Sequence, residues 1–265
     1  MGARLLGMRQ VAKPWGRAIL PAPFINEGRD PVGEIWFADE GAPPLPLLAK
    51  YLFTSEKLSV QVHPDDAKAR ARGLSSGKEE CWLVIDADPD AVLGIGTLRR
   101  LNADQLHSAS IDGSIEALMD WKPVSRGDFF YIPAGTVHAI GAGVSLIEVQ
   151  QHADVTYRLY DYGRPRELHL DDGVAVSDAR PYDDARATKV DFAADRMLVD
   201  GPIFRVMLGG DQCDLAGSGA TLILPLSGRA FAGGTSAGAG DCLAVDAGTP
   251  WHAEPDARLL IARMV

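Results

Sequence analysis

Cysteine is scarce: Cys81, Cys213 and Cys242 are the only three in 265 residues, they form no C-x-x-C pair, and an odd number cannot be fully paired within the chain. They read as reduced thiols serving as small apolar residues. Long apolar runs are also missing. None approaches a membrane span, and the opening MGARLLGMRQVAKPWG has no hydrophobic core of signal-peptide type. Gly2 is followed by Leu6 where a myristoylation signal needs Ser or Thr, so no membrane association is expected and the cytoplasm is the expected compartment. Basic charge is in deficit, with 26 Lys and Arg against 36 Asp and Glu and a net charge of −10. Such a chain cannot neutralise a nucleic-acid backbone, and any anionic small molecule must meet a local basic pocket. What is present, 46% apolar and 23% charged residues, fits a globular chain with a substantial core, as one large domain or two ordinary ones.

Short apolar runs broken by Gly, Pro and Asp recur along the chain: YLFTSEKLSVQVH, CWLVIDA, DFFYIPAG, VSLIEVQQ, VTYRLYDYG, then PIFRVML, ATLILPL, CLAVDAG and RLLIARM. Rich in Val, Ile, Phe and Tyr and lacking a 3.6-residue period, they predict a mainly antiparallel β protein, a sandwich or barrel. Two helical interruptions are expected. One is PDDAKARARGL, opened by Pro64 and two acids and closed by Gly73; the other spans 102–121, with the capping-box spacing of Asn102 and Gln105. A polar stretch, 166–194, reads as a connector between a first unit, 1–165, and a second, 195–265. GDFFYIPAGTVHAI from Gly127 resembles GDCLAVDAGTPWHAE from Gly240, with Pro250 as one extra residue before His252, which points to duplication.

In LSVQVHPDD the alternation of a strand puts Gln61 and His63 on one face, with Ser59 beside them, while Val60 and Val62 are expected to fill the barrel. GDFFYIPAGTVH has the spacing of the second cupin motif: a strand, a Pro-Ala-Gly turn, then His138 on a rigid support. GKEECW offers Glu80, with Lys78 on the same face. Gln61, His63, Glu80 and His138 would suit Zn²⁺ in an open catalytic site, although Fe²⁺, Mn²⁺ and Co²⁺ accept similar donors.

Together KPWGR at Lys13, GEIW at Gly33, LSVQVHPDD, GKEECW, GDFFYIPAGTVHAI and the block from Glu148 to Arg164 closely resemble the type I mannose-6-phosphate isomerases of the cupin superfamily in their short bacterial form. The matching blocks run in register from Lys13 to Arg164 and fade beyond it. Two cupin-like jelly-roll barrels with a small helical insert are expected, the second free of metal because ATLILPLSGRAF before His252 offers no companion ligands. The resemblance implies one zinc ion on Gln61, His63, Glu80 and His138, an essential Arg158, and active-site roles for Lys78, Ser59 and Glu148. It also implies interconversion of mannose 6-phosphate and fructose 6-phosphate; a phosphorylated hexose is the expected partner, and the chain is expected to be a monomer or homodimer.

Moving a proton between C1 and C2 through a cis-enediol calls for a base and for positive charge near the oxygens. Glu148 is a candidate base if burial raises its pKa, with Lys78 as competitor; Lys78, Ser59 and Arg158 share the phosphate in a division left open. Glu148 could instead be a buried acid paired with Arg158. Two departures from the family pattern, Glu79 and Arg17, could adjust the rim or substrate preference, so another phosphorylated sugar is the first alternative. A non-catalytic sugar-binding cupin and an iron oxygenase are the others. His107 and His169 read as solvated, His152 as pocket-lining or surface, and His252 as an echo of His138 without companions.

Overall fold

The computed structural model describes residues 2–39, 43–211 and 213–265. Its architecture is four sheets stacked in layers, with helices on one outer side. The outermost sheet has five strands, in the order Tyr157–Tyr160, Val60–Val62, His138–Ile140, Val92–Thr97 and Met119–Pro123. It faces a seven-stranded sheet ordered Ala187–Lys189, Asp128–Ile132, Glu80–Ala87, Val144–Gln151, Leu47–Phe53, Val32–Ala38 and Gly7–Arg17. Next comes a six-stranded sheet built from Ala3–Leu5, Leu243–Val245, Ser218–Ser227, Arg258–Met264, Phe204–Gly209 and Arg196–Asp200. A three-stranded sheet, Thr235–Ala237, Ala230–Ala232 and Trp251–Ala253, completes the stack. The protein is mainly antiparallel β, as the short apolar runs predict, but the expected closed barrels are pairs of facing open sheets.

Each gap between layers has its own apolar filling. Trp15, Leu52, Trp82, Val84, Leu93 and Leu146 fill the space between the five- and seven-stranded sheets. Ile35, Tyr51, Leu83, Phe129 and Ile147 on the back of the seven-stranded sheet meet Phe204, Val206, Leu222 and Leu260 of the six-stranded one. Strand periodicity of two sends alternate residues to these two fillings, so Trp82 and Leu83 serve different cores. Val60 and Val62 do not fill the space between the sheets. They lie on the outer face of the five-stranded sheet, packed with Leu106, Ile115, Leu159 and Val176. The helices that cover this face provide the apolar surface that the valines bury.

The helical signals resolve unevenly. Asn102 and Gln105 close a reciprocal capping box on the helix Ala103–Asp112, which ends at left-handed Gly113. The insert then stops earlier than 121: after the short helix Ile115–Leu118 the chain becomes the strand Met119–Pro123, with Trp121 in it. Asp65 caps Asp66–Arg70 by accepting from Lys68 N at 2.7 Å. The stretch 166–194 contains the helix Leu170–Val176, which shares the outer apolar cluster through Val176, and the strand Ala187–Lys189, which lengthens the seven-stranded sheet.

The two similar segments occupy corresponding places. Asp128–Ile132 and Leu243–Val245 lie in the larger sheets, and His138–Ile140 and Trp251–Ala253 follow in the smaller ones. Gly135 and Gly248, at the same point of the repeat, have φ of 87° and 79°, a region open to glycine at little steric cost. Among the described residues no helix is long and apolar enough to cross a membrane.

Candidate metal centre and its surroundings

The front face of the five-stranded sheet brings three residues into one row. Cα register pairs His138 with Gln61 and Gln61 with Arg158, so all three side chains leave the sheet on the same side. Opposite them the seven-stranded sheet presents Glu80, from a strand held between Asp128–Ile132 and Val144–Gln151. The turn Pro133–Thr136 sets the entry of His138, with Gly135 N bonded to His63 O at 2.8 Å.

His63, Glu80 and His138 are buried, and one donor atom from each lies within 4.8 Å of the others. Each imidazole donates through Nδ1 to a backbone carbonyl, His63 to Val155 O at 2.8 Å and His138 to Thr136 O at 2.9 Å. Both Nε2 atoms are thereby turned toward Glu80, each 3.5 Å from a different carboxylate oxygen. Burial holds His138 down to about 4, and burial with the nearby Lys78 charge holds His63 well below its ordinary 6.5, so both rings are neutral donors. Neither buried Glu80 oxygen has a directed hydrogen bond, although Lys78 Nζ stands 2.9 Å from one of them and 3.1 Å from His63 Nε2. Burial raises the Glu80 pKa, and Lys78 tempers that rise.

Two lone pairs and an unsatisfied carboxylate converging on one point form a donor set for a divalent cation, and the lysine ammonium is the positive charge that now meets them. The Gln61 amide lies beside this set: its Nε2 is 3.3 Å from His138 Nε2, and its Oε1 accepts from Ser59 Oγ at 3.4 Å. Half a turn of the amide exchanges oxygen and nitrogen and aims the oxygen inward. The residues present therefore fit a metal of the oxygen- and nitrogen-binding kind.

Glu148 departs from its expected chemistry. Burial pushes its carboxyl up, but Lys78 and Lys50 together outweigh that, and the pKa falls below the usual carboxylate range. Its oxygens are held by Lys50 Nζ at 3.2 Å and Trp82 Nε1 at 3.1 Å. The raised pKa on which a base role was to rest is absent, and the buried partner is Lys50 rather than Arg158. Lys50 itself was missed. The signal was available: LLAKYLF is buried at every position, and a lysine inside such a strand requires a partner. That partner comes from Val144–Gln151, and the ammonium also lies 4.4 Å from the centre of the Trp36 ring.

Arg158 donates Nη1 to Glu167 O at 2.6 Å and keeps a buried Nε without a partner. Glu79, next to Glu80 along the strand, points to the opposite face and accepts from the Tyr131 hydroxyl. The family departure at this position therefore does not line the ligand cluster. Arg17 is also elsewhere, bonded to Thr54 O at 3.1 Å. His152 lines a cavity of about 510 Å³ with Arg9 and Trp36. His169 Nδ1 accepts from Arg158 N at 3.2 Å, and exposed His252 stacks on Phe231.

No family model matches the chain. A mannose-6-phosphate isomerase of Streptococcus mutans is 41% identical over 146 residues, 53% of this chain and 46% of that protein. Mannose-6-phosphate isomerase ManA of Bacillus subtilis is 44% identical over 138 residues, 49% of this chain and 44% of that one. The chain thus spans about half the length of the curated relatives it matches. Among solved structures, mannose 6-phosphate isomerase from Bacillus subtilis superposes with a TM-score of 0.79 at 23% identity, covering 99% of this chain and 100% of its own. A zinc-bound mannose 6-phosphate isomerase gives 0.70 at 16% identity, covering 99% of both chains. About half of the chain is therefore related in sequence to mannose-6-phosphate isomerases, and the whole of it has their fold.

Proposed function

We propose that the chain is a zinc-dependent aldose–ketose isomerase interconverting mannose 6-phosphate and fructose 6-phosphate. The observation that carries this is the buried convergence of His63 Nε2, His138 Nε2 and the unsatisfied Glu80 carboxylate, with the Gln61 amide beside them. The names of the sequence relatives and the zinc-bound structural neighbour support it.

Gln61, His63, Glu80 and His138 would hold the ion, which when bound supplies Lewis acidity to the substrate's oxygens. Arg158, one strand from Gln61, supplies a fixed positive charge for the developing oxyanion. Ser59 orients the Gln61 amide at the pocket edge. The Lys78 pKa is raised because its carboxylate neighbours outweigh burial, so Nζ enters as a charged donor to a substrate oxygen or to the phosphate. A charged Lys78 cannot accept the carbon-bound proton, which leaves Glu148 as the candidate base of the two. With both Glu148 oxygens already engaged, we assign Glu148 first to fixing Lys50 and the Trp82 ring.

In the same reading the chain is two cupin-like units. The first takes in most of 1–165 and draws in the connector's helix and strand; the second, 195–265, borrows Ala3–Leu5. A coupled assay for fructose 6-phosphate from mannose 6-phosphate tests the activity, and a panel of phosphorylated aldoses tests the sugar. Faster turnover of another sugar would overturn the mannose assignment.

A further inference from the structure

The repeat between the two units places a second concave site that the isomerase reading leaves unused. In the structure it runs without the gap at Pro250: Gly127 corresponds to Gly240, Gly135 to Gly248, and the strand His138–Ile140 to Trp251–Ala253. Trp251, not His252, therefore stands where His138 does. Burial agrees, since Trp251 and Ala253 pack into the core of the second unit while His252 is exposed. Ile132, the strand partner of Glu80, corresponds to Val245, and Val245 pairs with Thr221. Thr221 thus takes the place of Glu80. Where the first unit gathers an imidazole and a carboxylate, the second has an indole and a hydroxyl.

Ile223 and Ile261 fill the gap between the six- and three-stranded sheets. Strand alternation sends Thr221 and Arg263 to that same face, and with Trp251 and the turn 246–249 they line a cavity of about 340 Å³. Arg263 forms no ion pair among the described residues: Nη1 donates to Leu215 O at 2.9 Å, Nη2 donates to nothing, and the buried Nε has no partner. The Nε–Nη2 edge of the guanidinium, the fork that takes a carboxylate, is therefore open. A buried donor left unpaired costs stability that a ligand oxygen would recover. The hydroxyl of Thr221, a residue 5% exposed, likewise has no hydrogen bond among the described residues. Two acids lie on the rim. Asp246 is engaged by Arg4 Nη1 at 3.1 Å and Gly2 N at 3.0 Å, whereas exposed Asp214 accepts Leu215 N at Oδ1 and keeps Oδ2 free. The charge of the place is inverted: the first unit holds a carboxylate that lacks its cation, the second a guanidinium that lacks its anion.

We propose that this cavity is a second binding site, for a small hydroxy acid: its carboxylate on Arg263, its hydroxyls on Thr221 and Asp214, its carbon chain against the Trp251 ring. The site rests on the fold and its charge, and stands whether or not the first unit isomerises a sugar.

Isothermal titration of the full, metal-loaded chain with D-gluconate, beside D-sorbitol, which lacks the carboxylate, tests the site in Arg263→Gln, Arg263→Lys and Trp251→Ala. Loss of a charged hydrogen bond predicts gluconate binding weaker by about ten-fold or more in Arg263→Gln, and D-sorbitol binding weaker by as much in the unaltered chain. Trp251→Ala lowers gluconate affinity by about five-fold through the lost aromatic face. Arg263→Lys restores part of the loss, because it keeps the charge without the fork, and also serves if Arg263→Gln does not fold. His138→Gln, a change in the first unit, leaves gluconate affinity within about two-fold, the factor of a contact not made. Unchanged affinity in a folded Arg263→Gln overturns the proposal, as does D-sorbitol bound as tightly as D-gluconate or an unaltered chain that binds no gluconate. Gluconate binding lost in His138→Gln overturns it too, because the acid then sits on the metal of the first unit.

Discussion

Glu80 has its carboxylate 0% exposed, a lysine beside it and two neutral imidazoles opposite, an arrangement that only a bound cation satisfies fully. Loss of an outer partner typically weakens a metal site 10- to 100-fold, so Glu80→Gln should cost more than about 100-fold in zinc affinity, read by metal analysis after dialysis. A variant that retains stoichiometric zinc would contradict the assignment. The same burial has a signature in the metal-free chain. With native His138 held at about 4 and His63 well below 6.5, the unfolded state binds more protons as pH falls from about 6.5 toward 4, and stability is lost across that window. Glu80, raised by burial, works in the opposite sense, but one carboxyl opposes two imidazoles. The urea midpoint of metal-free protein should therefore be lower near pH 5 than near pH 7, with a smaller difference in His138→Gln. A midpoint indifferent to pH in this range would refute the neutral-imidazole site.

At the scale of elements, the close approach of Gly77 to the 64–66 turn fixes where the chain passes Lys78 and enters the strand at Glu80. A Cβ on Gly77 would lie 2.5 Å from the Asp65 carbonyl carbon and 2.6 Å from Pro64 O, and neither backbone atom can move aside cheaply. Gly77→Ala should lower stability by about 1–3 kcal/mol in chemical denaturation and weaken zinc binding with it. Native stability and metal content in that variant would show that the contact does not position the ligands. This approach could not be read from GKEECW, whereas the strand alternation of Gln61 and His63 and the turn before His138 were legible, being local. Register is not local. The row His138–Gln61–Arg158 and the pairing of Lys50 with Glu148 join strands distant in sequence, so the Lys78 and Lys50 charges that lower the Glu148 pKa were out of sight. Closure into barrels was likewise invisible to alternation alone, which marks buried faces without fixing how sheet edges meet.

Over the whole molecule, the largest apolar cluster belongs to both the seven- and six-stranded sheets, and Ala3–Leu5 ties the start of the chain to Leu243–Val245. Units that share a core unfold together. Calorimetry of the full chain should show one transition, and a chain ended after residue 194 should aggregate, because Leu83, Phe129 and Ile147 lose their cover. A soluble, native-like fragment would contradict a shared core. The proposed activity asks more of the molecule than a shared core: the His63, Glu80 and His138 cluster with Gln61 must turn over a phosphorylated hexose. Fructose 6-phosphate formation from mannose 6-phosphate, measured on a sample whose zinc content is determined alongside, tests it most directly. The prediction is about one zinc per chain with turnover proportional to occupancy, both lost in Glu80→Ala. Turnover that persists in Glu80→Ala with metal retained, or zinc-loaded protein without turnover, would contradict it.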